Sequence, residues 1–595
     1  MTRSTHMNHT PATAPTATNP PWRRVAASLV ALALLSVFTL SLASAAGGAK
    51  AGASATTAEP PKVYQPSGHG AALAHGVVDM AKLPVLQPHT VTSVQKPVLP
   101  PLDALTPAQR QAYNNKARKA APTPAPGAQP TQPATTAPKF VGGGSVPLLV
   151  KQYEGLSSTQ AGGGTGNVAL ATDLSYLMEG VDNAIAIFRT ATGALAYGPY
   201  APQSFFAPVY HAGDTFTNPQ MYYDTMRDRW IVLYLEVAPS GVVTYLDLAV
   251  SQSNSPTQPT PGSQYNVYQF ATNFVVGIST FCGYETLGVD YYGIYITCAN
   301  YLSSIKGFMG NTVLAIDKAP LLAGAANPVT YWWNDAVKTA NDAGPALALS
   351  PALEEGVQDG EFIVATNEGW GDLSNNLTVC ALTNQRNIAT TQPTLSCLHR
   401  PLGMSYKDPI PAHQLGGSTF PVSIGTNQVY YKAGRLFLAW TTGLRGAFLE
   451  DQDAIYWAEV RPELASNPRT LSGVEVTQQS IVSSSLFPAL EDYYTPSVVG
   501  TDEDDIVLVF NRSSTSAYPG IAYTGRKASD AHNAMAGNAT VITGTHATTT
   551  TWGKYSACAI SLNSVTRGTI WYAAEYTGAT ADPGWNTRLI NLRAE

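Results

Sequence analysis

The sequence predicts an all-β chain whose folded part is a single β-propeller of seven blades, preceded by a signal peptide and a disordered linker rich in Pro, Ala and Thr. Three observations predict it. Charged residues are 12% of the 595 residues, about half the usual share, while Gly, Pro, Thr, Ser and Tyr are plentiful, as in loop-rich β proteins. From Val146 onward, short runs of aromatic and β-branched residues alternate with polar ones and are separated by turn residues, the signature of strands. Helical periodicity is missing from that region apart from a turn around Ala319 to Ala325, which excludes a parallel α/β fold.

Residues 1–46 read as the signal peptide. A polar leader ends in Arg23-Arg24, an apolar run (VAASLVALALLSVFTLSLASAA) follows from Val25, and Ala43-Ser44-Ala45 has the small-residue pattern of a cleavage site. The run is also long enough to cross a bilayer, so an uncleaved N-terminal segment is the one membrane attachment expected. Residues 47–144 are expected to be a low-complexity linker, because a segment such as APTPAPGAQPTQPATTAP cannot bury enough apolar surface to offset its ordering entropy. One short helix is expected within it over 102–120, with Thr106 as N-cap and Pro107 at the first helical position. The propeller domain is expected to occupy 145–595, in a monomeric protein that is secreted or held at the cell surface.

The stretch NPQMYYDTMRDRWIVLYLE, Asn218 to Glu236, shows how a blade is written. One strand ends at Tyr223, Asp224 and Asp228 flank a tight connection, and the next strand starts at Arg229-Trp230. Asp suits such a place because its carboxylate accepts the turn's own N–H groups; a carboxylate and guanidinium site is the competing functional reading. AIAIFRTATGALAYG and VGTDEDDIVLVFNRS follow the same plan. Strand groups begin near Asn167, Asn218, Tyr284, Ala346, Phe420, Tyr494 and Trp552, a spacing within reach of a blade plus its loops. Closing the ring should pair an early strand near Leu149 to Tyr153 with the last blade around Arg588 to Leu592, which removes exposed edges.

Several of these motifs occur together in a fixed order: PQMYYDTMRDRWIVLYLEV, YETLGVDYYGIYITCANYL with TVLAIDKAPLLAGA, VFNRSSTSAYPGIAYTGR, and TTWGKYSACAIS with TIWYAAEYTG. In this the chain resembles a family of largely uncharacterised secreted bacterial proteins believed to fold as β-propellers, over roughly Gly166 to the C-terminus. The resemblance implies an architecture and an exported location, and no agreed reaction. Where that family usually has WGDYS this chain has Lys554, so a role for that aspartate does not carry over.

Better-known propeller enzymes are excluded by motif. No Asp-box of the form S-x-D-x-G-x-T-W is present, the quinoprotein blade pattern has a single echo in TATGALAYG, and no Walker loop, HExxH or GxSxG occurs. The net charge of -6 and the lack of a long basic run argue against nucleic acid as a partner. No cofactor is expected, and no metal, since the histidines of the folded region form no HxH or HxxxH cluster. Cys282 and Cys298, and Cys380 and Cys397, lie on neighbouring expected strands and read as two disulfides in an oxidising compartment, leaving Cys558 as a buried thiol.

The candidate catalytic residues are Arg512, Arg526, Glu575, Tyr576 and Glu285. An arginine pair would hold a carboxylate or sulfate, and a Tyr and Glu pair could act as nucleophile and base. Each also has a plain reading as a turn cap or a partner for strand-end backbone groups. The expected function is binding of an extracellular glycan or surface polymer on the funnel face through exposed Tyr and Trp. A hydrolase or lyase acting on such a polymer is the alternative, and a structural cell-surface protein is the third reading. Scarce charge also predicts acid tolerance, because few native carboxylates would have to be protonated.

Overall fold

The computed structural model describes residues 60–88 and 144–594, apart from 164, 257–263, 276, 340–343, 367–372, 426–427, 445–450, 485–490, 549–551, 554–555, 561–568 and 579–583. The chain divides into two units, Met1–Ala58 and Glu59–Glu595, and the described residues lie in the second. The expected signal peptide, the expected helix over 102–120 and Lys554 lie outside the described residues.

The fold is all-β and of propeller type. Among the described residues, strand pairing traces seven antiparallel meanders: 169–200, 215–271, 280–334, 348–406, 429–482, 491–542, and 557–593 completed by Leu148–Ser157. They are numbered 1 to 7 below. The first strands are Ala169–Thr172, Thr215–Asp224, Thr280–Val289, Ala348–Glu354, Val429–Lys432, Glu491–Gly500 and Ala557–Ile560. Each touches the first strand of the next meander, and the seventh touches the first, so the ring is closed.

The strand Arg229–Val237 explains why the runs are so apolar. Ile231, Leu233, Leu235 and Val237 enter one core with Leu287, Val289, Ile294 and Ile296 of meander 3. The intervening Trp230, Val232 and Tyr234 enter another with Ala169, Met178 and Ile185 of meander 1. Successive side chains leave opposite faces of a strand, and here both faces are covered by a neighbouring meander. The two strands of this hairpin are therefore scaffold. Asp224 Oδ1 accepts the amides of Met226 (3.0 Å) and Arg227 (3.2 Å), and Trp230 is fully buried.

Closure follows the expected register. Tyr153 pairs with Leu589, Gln152 with Ile590 and Leu149 with Leu592, so an N-terminal strand supplies the outer edge of meander 7. The disulfides Cys282–Cys298 and Cys380–Cys397 are both formed, the second across directly paired residues, and Cys558 is buried and free.

The linker expected over 47–144 is corrected by its first described part. Lys62–Tyr64 pairs with the outer strand of meander 4, Gly68–Gly70 with that of meander 3, and Ala74–Asp79 with that of meander 2. Val85 then bridges to Tyr200 of meander 1. These residues form a strap without a core of their own, because open strand edges supply their hydrogen-bond partners. The glycines of SGHG have a specific use: a Cβ on Gly68 would run into the Trp332 ring, and one on Gly70 would approach it to 3.1 Å.

Candidate functional site

The five candidate residues are not brought together. Arg512 and Arg526 share meander 6, where Arg526 stands opposite Ile506 and Arg512 opposite Gly520. Six residues of strand separate them, about 20 Å. Arg512 is paired with Glu491, and Arg526 donates to the Asp530 carbonyl at 3.1 Å while burial pulls its guanidinium below the usual range. Glu575 and Tyr576 are consecutive and face opposite ways. Glu575 is buried and accepts the Gly553 amide at 2.8 Å, and Tyr576 donates to Glu154 of the closing strand at 2.8 Å.

Glu285 belongs to a belt of buried polar groups joining the starts of the first strands. Asp182 accepts from the Asn167 side chain (3.0 Å), the Asn218 amide (3.0 Å) and Thr217 (3.1 Å); Asn218 in turn donates to Glu285 at 3.3 Å. Burial raises the Asp182 carboxyl against these bonds. Asn218, Tyr284 and Thr495 all have φ near +50° at a bulge in the first strands of meanders 2, 3 and 6. That conformation is costly for Tyr and Thr and turns their strands locally.

Hydrogen bonds also join meanders that are not direct neighbours. The Tyr222 hydroxyl donates to the Glu354 carbonyl at 3.1 Å, from meander 2 to 4, and Tyr430 to the Cys558 carbonyl at 2.6 Å, from 5 to 7. Gln428 Oε1 accepts the Cys558 amide at 2.8 Å. Burial pushes the Cys558 thiol up to about 12, which makes it a poor nucleophile. The expected face of exposed Tyr and Trp is corrected as well. Among the described residues no aromatic side chain is fully exposed, because the aromatics fill the cores between meanders.

Two constellations were not foreseen. In meander 2, Glu236 and Asp247 are fully buried and share the Gln269 side-chain amide, at 2.8 and 3.1 Å. Burial and the neighbouring Glu236 carboxylate hold the Asp247 carboxyl well above its usual range. His211 caps the pair, its amide 2.8 Å and its Nδ1 3.2 Å from Glu236 Oε1, and its ring stacks on Tyr245. Both carboxyls are without exposure, and Asp247 Oδ2 has no hydrogen-bond partner among the described residues.

The second constellation lies at the turns after the first strands of meanders 2 and 3. The Arg227 guanidinium sits 3.6 Å over the Tyr291 ring and donates to the Tyr291 carbonyl, while Arg386 approaches Tyr292. Tyr291 and Tyr292 are half-buried and meet edge to face. Arg227 and Arg229 bond only backbone carbonyls and form no ion pair among the described residues. The one available signal was YDTMRDRW beside DYYG, two hairpin turns rich in Arg and Tyr.

No family model matches the sequence, and no curated protein matches it. Similar solved structures include the family GH43 endo-arabinanase from Bacillus licheniformis, 10% identical over 63% of this chain and 97% of that one, TM-score 0.26. A PL25 ulvan lyase is 11% identical over 72% of this chain and 91% of that one, TM-score 0.29. A protein of unknown function from Dyadobacter fermentans is 11% identical over 65% and 96%, TM-score 0.30. Likeness at this level specifies neither ligand nor reaction.

Proposed function

We propose that the protein is an extracellular propeller, related to the secreted bacterial family it resembles, that binds an acidic glycan or surface polymer at the turn face of meanders 2 to 4. The observation that carries this reading is the Arg227–Tyr291–Tyr292 group, which offers guanidinium charge without a carboxylate partner beside half-buried rings. Sugar rings stack on aromatic faces at low entropy cost, and guanidinium groups take carboxylates and sulfates. Binding is favoured over hydrolysis because the five candidate catalytic groups are dispersed and each is engaged in holding the fold. The two disulfides fit an oxidising compartment.

The test is retention of the purified chain on immobilised uronate-bearing and neutral polysaccharides, with released products monitored. Retention on the acidic polymers, weakened at least about tenfold by Arg227→Gln combined with Tyr291→Ala, is expected, since a charge-assisted contact and a stacking contact are each worth about 1 kcal/mol or more. Preference for neutral polymers, or release of oligosaccharides by the chain, contradicts the proposal.

A further inference from the structure

Where the first strands of meanders 3 and 4 meet, three carboxyl groups share a fully buried space. Val289 pairs in parallel with Leu353, so the residues that follow, Asp290 and Glu354, are neighbours across the seam. Glu361 joins them from the second strand of meander 4, and one carboxylate oxygen from each lies within 4.8 Å of the others. All three are buried. A glycine makes the room: a Cβ on Gly288 would stand 2.6 Å from Glu361 Oε1 and 2.5 Å from Pro351.

The hydrogen-bond inventory leaves this group short of partners. Asp290 Oδ1 accepts the amides of Tyr292 and Gly293, and Glu361 Oε1 accepts that of Ala352 at 2.9 Å. Asp290 Oδ2, both oxygens of Glu354 and Glu361 Oε2 have no hydrogen-bond partner, although the Phe362 amide faces Glu354. The Tyr295 hydroxyl, on a fully buried side chain, is also without one; it faces Asp290 and feels all three carboxylates. The nearby cation acts on all three but offsets them only in part. Lys318 Nζ lies 2.6 Å from Asp224 Oδ2 and also donates to the Asp290 carbonyl, so its charge is matched by Asp224.

Buried polar groups are normally satisfied, and adjacent buried carboxylates without a counter-charge repel strongly. We infer that Asp290, Glu354 and Glu361 form a structural cation site, occupied by Ca²⁺, that ties meander 3 to meander 4. Four free carboxylate oxygens and no thiol or imidazole select a hard cation, and Ca²⁺ accepts irregular sets of mono- and bidentate carboxylates, whereas Mg²⁺ holds to octahedral geometry and keeps its waters. The site is independent of the proposed polymer contact, although Asp290 begins the turn that carries Tyr291.

The experiment uses the full purified chain at pH 8, dialysed against chelator and then supplied with CaCl₂. About one Ca²⁺ per chain is expected by elemental analysis, with a thermal midpoint raised by several degrees in millimolar Ca²⁺, as mass action predicts for a ligand well above its Kd. Glu354→Gln and Glu361→Gln should each abolish that rise. Tyrosine-sensitised Tb³⁺ emission from the wild-type chain, displaced by Ca²⁺, supplies a readout if the variants do not fold. A midpoint indifferent to Ca²⁺, a response to Mg²⁺ alone, absence of displaceable Tb³⁺ emission, or a Ca²⁺ response undiminished in both variants each overturns the inference.

Discussion

Replacing Glu179 by Gln should remove one defined share of the protein's loss of stability between acidic and mildly alkaline pH. Glu179 is fully buried at the seam where the closing strand meets meander 1. Its Oε2 accepts the Leu156 amide at 2.9 Å, Thr587 supports it, and the Glu154 carboxylate opposes its ionisation. Burial is the main cause of a carboxyl pKa raised from 4.5 to about 7. The native carboxyl thus holds its proton more tightly than the unfolded one. The stability it contributes is complete below about pH 4.5 and is lost as pH rises through about 7, an amount on the order of 3 kcal/mol. Urea unfolding of both proteins at pH 4 and pH 8.5 measures it. The wild type should lose about 3 kcal/mol more than Glu179→Gln across that interval, whatever constant cost the amide brings, because only the carboxyl titrates. An equal difference between the two proteins at both pH values would refute the reasoning.

Three further outcomes are expected. Peptide mapping of non-reduced protein should recover Cys282 joined to Cys298 and Cys380 joined to Cys397, with Cys558 alkylated only after denaturation; a cross-link through Cys558 contradicts the arrangement. Leu156→Ala, which empties a fully buried position on the closing strand, should cost about 2–5 kcal/mol in denaturant unfolding, and an unchanged midpoint would mean that the strand does not close the ring. Circular dichroism from neutral pH down to about pH 3, spanning the carboxylate reference values, should show retained structure; cooperative unfolding above about pH 4.5 would contradict it.

The structure adds a second cause to the acid expectation, and the difference shows what a sequence can reveal. Scarcity of charge was visible in the composition, but burial was not. Asp182, Glu179, Asp247 and Asp453 are held above their usual ranges by desolvation inside the ring, so acid neutralises groups that are costly to keep ionised. The strands were legible because runs such as RWIVLYLEV must be apolar on both faces when a neighbour packs on each side. The pairing that closes the ring was legible because the last meander needs an outer strand and the run Leu148–Ser157 precedes the first meander. The strap over Lys62 to Val85 was illegible, since backbone pairing on an existing edge demands no periodicity of its own. The candidate site failed for lack of a third dimension. Arg and Glu at strand ends serve as hydrogen-bond partners in most positions, and residues as far apart as Asp290 and Glu361 meet only through the parallel seam.

The strap also sets the order of synthesis against the order of assembly. Its residues are made before any of the edges they cover, and those edges appear in the sequence 1, 2, 3, 4 as the chain lengthens. The docking place of Val85 is therefore synthesised first and that of Lys62 last. Such pairings across long stretches of sequence form slowly, because chain closure has to precede the contacts that reward it. Until the last of them forms, the outer strand of meander 4 remains an open template for another chain. The hazard is confined to the interval of maturation and ends when Lys62–Tyr64 settles on that edge.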